Sequence, residues 1–397
     1  MPLINDDTIY LDNAATTPLH PAVLEAMMPY LAQEYGNPSS IYRAGQDGKS
    51  AIEQARRQAA AALGCHPSEI IFTSGATESD NLALSGVLWY HRLKYPDQQA
   101  PHLIVSAIEH HAVLHTAQFL ERQGFGLTIV PVDGEGFVDP EAVRAAIRPE
   151  TRLISIMLAN NEVGAIQPIA EIGVIAREAG IPFHTDAVQA AGTLPIRVDD
   201  LKVDLLSLSA HKFRGPKGVG LLYVRKGTAI EWMQLGGGQE GGRRGGTENV
   251  AGIVGLGTAI ELAEQQRAAH AAALSEIRDE LWAGLRTTIE DIELNGPADF
   301  SRRLPNNLNV AIRGVQGETV LLALDMIGIA ASAGSACTTG NSEPSHVLLA
   351  MGQSEERARS SIRFSVGDST TSEQIEEVVD GLQEIVERSR KIAAARR

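Results

Sequence analysis

Apolar residues come in short unbroken runs through the first part of the chain: EIIFTS, HLIVSA, LTIVPV, RLISIML, IPFHTD, VDLLSLS and GVGLLYV. Stretches with helical spacing, such as PEAVRAAI and PIAEIGVIAREAG, lie between them. A strand buried on both faces reads as a continuous apolar run rather than an alternating one, and helices between such runs carry the chain over to the next strand. The pattern predicts an α/β fold whose large domain holds a mostly parallel seven-stranded sheet flanked by helices. From about residue 250 the texture changes to the long helical period of VAGIVGLGTAIELAEQQRAAHAAALSEIRDELWAGL, which predicts a connecting helix pair. LPNNLNVAI and SSIRFSVG then read as strands, GETVLLALDMIG as a helix and TTSEQIEEVVDGLQEIVERSRKIAA as a terminal amphipathic helix. The expected division is an N-terminal arm at 1–15 joining a smaller α/β domain, a large domain at 16–260, and the small C-terminal domain at 261–397.

Composition narrows the function classes. With 44% hydrophobic and 21% charged residues in 397, the chain can bury a sizeable core. A formal charge of -15 argues against a nucleic-acid partner, since phosphate-backbone affinity comes from clustered Lys and Arg. The opening MPLINDDTIYLD carries acids where a signal peptide carries bases, and the apolar run VLLALDMIGIA is broken by Asp325, so a cytoplasmic protein with no membrane partner is expected. The two cysteines, Cys65 and Cys337, are too far apart in sequence for a small disulfide framework and lack metal-ligand spacing. Cys65 follows a helical pattern as a spare thiol. Cys337 lies among small and polar residues in ASAGSACTTGNSEPS, where no core would need it.

Ligands of open α/β sheets bind beyond the carboxyl ends of the strands, and the chemistry gathers there. EIIFTS runs into GATESDN, where a glycine turn and a helix start with Thr77 read either as a simple N-cap or as backbone N–H groups offered to an anion. HLIVSA runs into IEHHAVLH; His110, His111 and His115 raise the thought of a metal, but without an accompanying ligand motif a ring stacked on a flat ligand is the better reading. IPFHTD ends in Asp186, a carboxylate that wants a cationic partner such as a protonated ring nitrogen, with Gln189 three residues on. VDLLSLS delivers Ser209, His211 and Lys212. The spacing Ser209-x-x-Lys212 matches an acyl-transfer motif without its partner motifs, and a desolvated lysine suited to imine formation is the sharper reading. An imine-forming Lys, an Asp for a pyridinium nitrogen, an aromatic cover and a phosphate site together describe pyridoxal 5'-phosphate. GGGQEGGRRGG, with Arg243 and Arg244, reads either as a flexible surface loop or as an anion loop.

On YLDNAATTP, GNPSS, FTSGATESDN, EHHAVL, NNEVGAIQP, HTDAVQ, SAHKFRGPKGVG, GGGQEGGRRGGTEN, GSACTTG and SSIRFSVG, the chain resembles the cysteine desulfurases of the NifS/IscS type, within the class V aminotransferase superfamily of PLP-dependent fold type I. The resemblance runs nearly end to end. It implies Lys212 as the Schiff-base lysine, Asp186 at the pyridinium nitrogen and Gln189 at the phenolic oxygen. It also implies His110 stacked on the ring, where an ordinary pKa near the working pH would suit a proton shuttle. Ala76, Thr77, Ser209 and His211 match the phosphate cup, and Thr247 a phosphate contact from the other subunit of a homodimer. Arg363 matches the clamp on the substrate carboxylate, assisted by Asn161 and Asn37. Cys337 matches the cysteine that takes sulfur from L-cysteine as a persulfide, leaving L-alanine, and passes it to an acceptor such as an iron-sulfur scaffold. The end at IVERSRKIAAARR, without the longer extension of housekeeping members, leads us to expect a NifS-like or otherwise specialised acceptor. Selenocysteine lyase, cystine C–S lyase and aminotransferase are the alternatives within this fold; a non-catalytic dimeric scaffold is the alternative outside it.

Overall fold

The computed structural model describes residues 8–333 and 343–395. Its strands, in chain order, are β1 (Ile9–Tyr10), β2 (Ile70–Thr73), β3 (His102–Ser106), β4 (Gly126–Val130), β5 (Thr151–Ser155), β6 (Phe183–Asp186), β7 (Leu205–Ser209), β8 (Gly220–Val224), β9 (Ile292–Leu294), β10 (Asn307–Ile312), β11 (Ile329–Ala330) and β12 (Ser361–Ser365). All seven apolar runs enter one seven-stranded sheet in the order β2-β8-β7-β6-β5-β3-β4. Only β8 runs antiparallel to its neighbours β2 and β7. The carboxyl ends of β2, β3, β5, β6 and β7 therefore share one edge.

The continuous apolar runs are explained by burial on both faces. Alternate residues of a strand point to opposite sides. Ile70, Phe72, Leu206, Leu208, Leu221 and Tyr223 accordingly enter one core, while Ile71, Leu205, Leu222 and Val224 enter the core on the opposite face. A separate antiparallel sheet, ordered β12-β10-β9, has its own core of Val310, Ile312, Ile362, Phe364, Val378 and Leu382. That core also takes Ile9 and Leu11 from the N-terminal arm, where β1 pairs in parallel with β11. Two-residue strands such as β1 and β11 carry no readable period.

The predicted helix pair after residue 250 is a single helix, Val250–Thr288, of 39 residues. Its middle, ELAEQQRAAHAAALSE, is built of strong helix formers and has no proline or glycine to turn it. The glycines near its start do not break the helix; they permit close packing, since a Cβ on Gly257 would lie 2.6 Å from the Cα of Ala55. The helix gives Ile253, Leu256 and Ile260 to the first core and Leu274, Leu281 and Leu285 to the second. No helix among the described residues is long and apolar enough to cross a membrane.

Candidate functional site

Five loops leaving the shared edge of the large sheet, one from each of β2, β3, β5, β6 and β7, surround a cleft of about 560 Å³. It is lined by Ala76 and Thr77 after β2, His110 after β3, Asn161 after β5, Asp186 and Gln189 at β6, and Ser209, His211 and Lys212 after β7. The antiparallel sheet adds Arg363 from β12, and the N-terminal arm adds Ala14, Ala15 and Thr16. Residues spread over the whole sequence meet here because parallel strands deliver their ends to one side.

Lys212 closes the one-turn helix Ala210–Lys212. Its ammonium donates to the carbonyls of Ala14, at 2.6 Å, and Ala15, at 2.8 Å. The Gln189 amide donates to the same Ala14 carbonyl at 2.9 Å, so the two side chains converge on one point. Ser365 fixes that segment of the arm: its carbonyl accepts from the Asn13 side chain and its hydroxyl accepts from the Ala14 N–H. Asp186 is 6% exposed and accepts from the Val188 N–H at 2.9 Å. Burial pushes its carboxyl up to about 6, against the lowering effects of that N–H and of the Lys212 charge. A buried carboxylate with a single N–H donor has room for a cationic N–H on its other lone pairs.

The anion site is a close approach of backbones. A Cβ on Gly220 would lie 2.5 Å from the Leu208 carbonyl and 2.7 Å from the Cα of Gly75, so only glycine lets the β7–β8 pair meet the start of the helix Ala76–Lys94. The first-turn amides of that helix have no carbonyl a turn earlier, and Ala76, Thr77 and Ser209 line the cleft at this point. His211 anchors to Thr16 at 3.1 Å; burial and the charges of Lys212 and Lys217 bring its pKa down to about 4, leaving a neutral ring.

His110 caps the helix His111–Arg122, its Nδ1 accepting the Ala112 N–H at 3.1 Å, which puts the proton of the neutral ring on Nε2. The expectation that it titrates near the working pH is corrected: burial, then the Lys212 charge, bring it down to about 4. His111 and His115 stack on each other at 4.5 Å, with His346 at 4.7 Å from His111. Among the described residues no group of three or more His, Cys, Asp or Glu is placed to hold a metal ion.

Arg363 is 1% exposed and reaches out of β12 to Asp12, at 2.7 Å, and to the Asn161 carbonyl, at 2.9 Å. Asn37 and Thr247 are exposed and outside the cleft lining. Both arginines of the expected anion loop are engaged within this chain. Arg243 donates to the carbonyls of Ser68 and Glu240, and Arg244 forks onto Glu78. Cys337 lies outside the described residues. The other cysteine, Cys65, is half buried, and burial with nearby Glu69 pushes its thiol up to about 12.

Three buried acids were not foreseen. Asp80 lines the cleft with no hydrogen bond on either oxygen, 3.6 Å from His184. Burial and the neighbouring Asp186 carboxylate hold it well above the usual range. Glu109 accepts from Ser106 and from the Met157 N–H. Glu162 accepts from Ser345 and offers its carbonyl to Asn307 and Asn309. Asp80 had a readable signal: with Ala83, Leu84 and Val87 it occupies i, i+3, i+4 and i+7, a polar residue on a core stripe.

The donor set suits pyridoxal 5'-phosphate: an amine at Lys212 for its aldehyde, a carboxylate at Asp186 for its ring nitrogen and a glycine-cradled helix start for its phosphate. Comparison with known proteins agrees. Residues 9–378 match the aminotransferase class-V family, whose members use this cofactor as a general property. The cysteine desulfurase IscS of Dictyoglomus turgidum is 51% identical over 385 residues, covering 97% of this chain and 96% of that protein. A solved NifS-like protein superposes with a TM-score of 0.88 at 38% identity, covering 96% of this chain and 99% of the other. SspA in complex with cysteine superposes with a TM-score of 0.80 at 40% identity, over 90% and 99% of the two chains.

Proposed function

The chain belongs to the class-V aminotransferase family and is a cysteine desulfurase, and from that premise we propose how its own residues carry out the reaction. The observation that carries the reading is the convergence of Lys212 and Gln189 on one carbonyl, in the cleft that also holds Asp186 and the helix start at Ala76. Pyridoxal 5'-phosphate, when bound, supplies an electron sink for the pair left behind by the substrate's α-proton. Lys212 would hold the cofactor through its amine and, when that amine is free, would take up the substrate's α-proton. Asp186 keeps the ring nitrogen protonated, and Gln189 donates to the neighbouring oxygen. His110 would border the bound cofactor as a neutral imidazole with its proton on Nε2. Ala76, Thr77, Ser209 and His211 take the phosphate, and Arg363, held by Asp12 and Asn161, takes the substrate carboxylate.

The Cys337 thiolate attacks the substrate sulfur. The Cβ–S bond breaks, an S–S bond forms, and L-cysteine plus the thiol become L-alanine plus a persulfide. We propose a homodimer in which the exposed Thr247 reaches the other subunit's phosphate, with Asn37 assisting at the substrate. The persulfide sulfur goes to an acceptor protein such as an iron-sulfur scaffold. Equal amounts of alanine and sulfide from L-cysteine plus a reductant are the expected products. Pyruvate and ammonia in place of alanine would make the enzyme a lyase.

A further inference from the structure

Glu78 is an odd residue to find at a phosphate site. It lies in the first turn of the helix Ala76–Lys94 and lines the same cleft as Ala76 and Thr77. Its carboxylate accepts the N–H of Ser74, the residue before the N-cap Gly75, at 2.8 Å, a one-residue variant of the reach-back bond of a capping box. Capping accounts for an acid here. It does not account for Arg244, which comes from 166 residues further along the chain. The Arg244 guanidinium forks onto both oxygens of Glu78, Nε at 2.8 Å and a terminal nitrogen at 3.2 Å, and both side chains are only 19% exposed.

A full negative charge in the first turn opposes what the helix start is otherwise built to do, which is to attract an anion. With the arginine in place the pair is neutral. We infer that Arg244 is a positioning residue for the cofactor phosphate, which it never touches: by neutralising Glu78 it leaves the helix start free to hold a dianion. The inference rests on the reading of this cleft as a pyridoxal 5'-phosphate site. Burial works against ionisation of Glu78, yet the hydrogen bonds from Arg244 and Ser74 hold its carboxyl below the usual range, so the charge to be neutralised is present at neutral pH. The other acids near Arg244 are Glu240, itself forked by Arg56 at 2.8 and 2.9 Å, and Glu248.

The test compares binding of pyridoxal 5'-phosphate and of pyridoxal, which lacks the phosphate, to cofactor-free protein by fluorescence titration. The proteins are wild type, Arg244→Gln, Glu78→Gln and the double variant. Arg244→Gln exposes the Glu78 charge and weakens pyridoxal 5'-phosphate on the order of ten-fold or more, with pyridoxal nearly unchanged. Glu78→Gln binds the phosphate compound at least as tightly as wild type, and adding it to Arg244→Gln restores most of the loss. A merely structural pair behaves differently: either single variant weakens both compounds, and the double variant stays weak. That pattern, or Arg244→Gln binding the cofactor within two-fold of wild type, overturns the inference. A wild type that binds neither compound removes the cofactor reading, and the inference with it.

Discussion

Two thiols in one chain need not be chemically alike. Cys65 follows the glycine cap of the helix Arg43–Leu63, where burial and the Glu69 charge lift its pKa to about 12. At pH 8 almost none of it is thiolate, and only thiolate reacts quickly. Iodoacetamide under native conditions is therefore expected to modify one thiol per chain, and peptide mapping should find it at Cys337. Prompt labelling of Cys65 would contradict the local burial described here. At this scale the sequence was informative wherever a polar residue ended an apolar strand, which is how Asp186, Ser209 and Lys212 stand out. Asp12, Glu109 and Glu162 were not legible, because each acts through a partner supplied by distant chain: Arg363, Met157 and Ser345 respectively. His110 was legible as a residue, but its titration was not, since burial is a property of the fold.

Glu109 shows how a single side chain serves two elements. It accepts from Ser106 at the end of β3 and from the Met157 N–H just beyond β5, tying two neighbouring strands at the edge that forms the site. Burial raises its carboxyl to about 8, and Asp186 is raised to about 6. In the unfolded chain both ionise near 4. Between those limits the folded state binds more protons, so the stability from these groups is full below about pH 4 and is lost as pH rises through 6 and 8. Above about pH 7, where buried histidines such as His110 and His211 are largely neutral in the folded and the unfolded chain alike, the melting temperature of cofactor-free protein should fall toward pH 9, and Glu109→Gln should flatten that fall. A variant with the full wild-type slope would show that Glu109 ionises normally. Among elements, the seven strands of the large sheet were legible because double-sided burial writes itself as unbroken apolar runs. The 39-residue helix was misread as a pair because its period continues through a polar middle that only the bridge between two cores explains.

For the molecule as a whole, the site depends on three parts of the chain meeting. The large sheet supplies Lys212 and Asp186, the arm at Asp12–Ala15 supplies the carbonyls that hold Lys212, and β12 supplies Arg363. The seven strands of the large sheet and its mostly parallel order followed from pattern alone, whereas β1, β9 and β11 did not. The junction did not: the pairing of β1 with β11, and the helix Val250–Thr288 that serves both cores, arise from contacts that no local period encodes. The central claim is that this junction serves a desulfurase in which Cys337 receives the sulfur. The most direct test is alanine release from L-cysteine by cofactor-loaded wild type and Cys337→Ala, with the visible spectrum followed in both. The account predicts that the variant still changes colour on adding L-cysteine while its alanine production collapses. A variant that releases alanine as fast as wild type would contradict it.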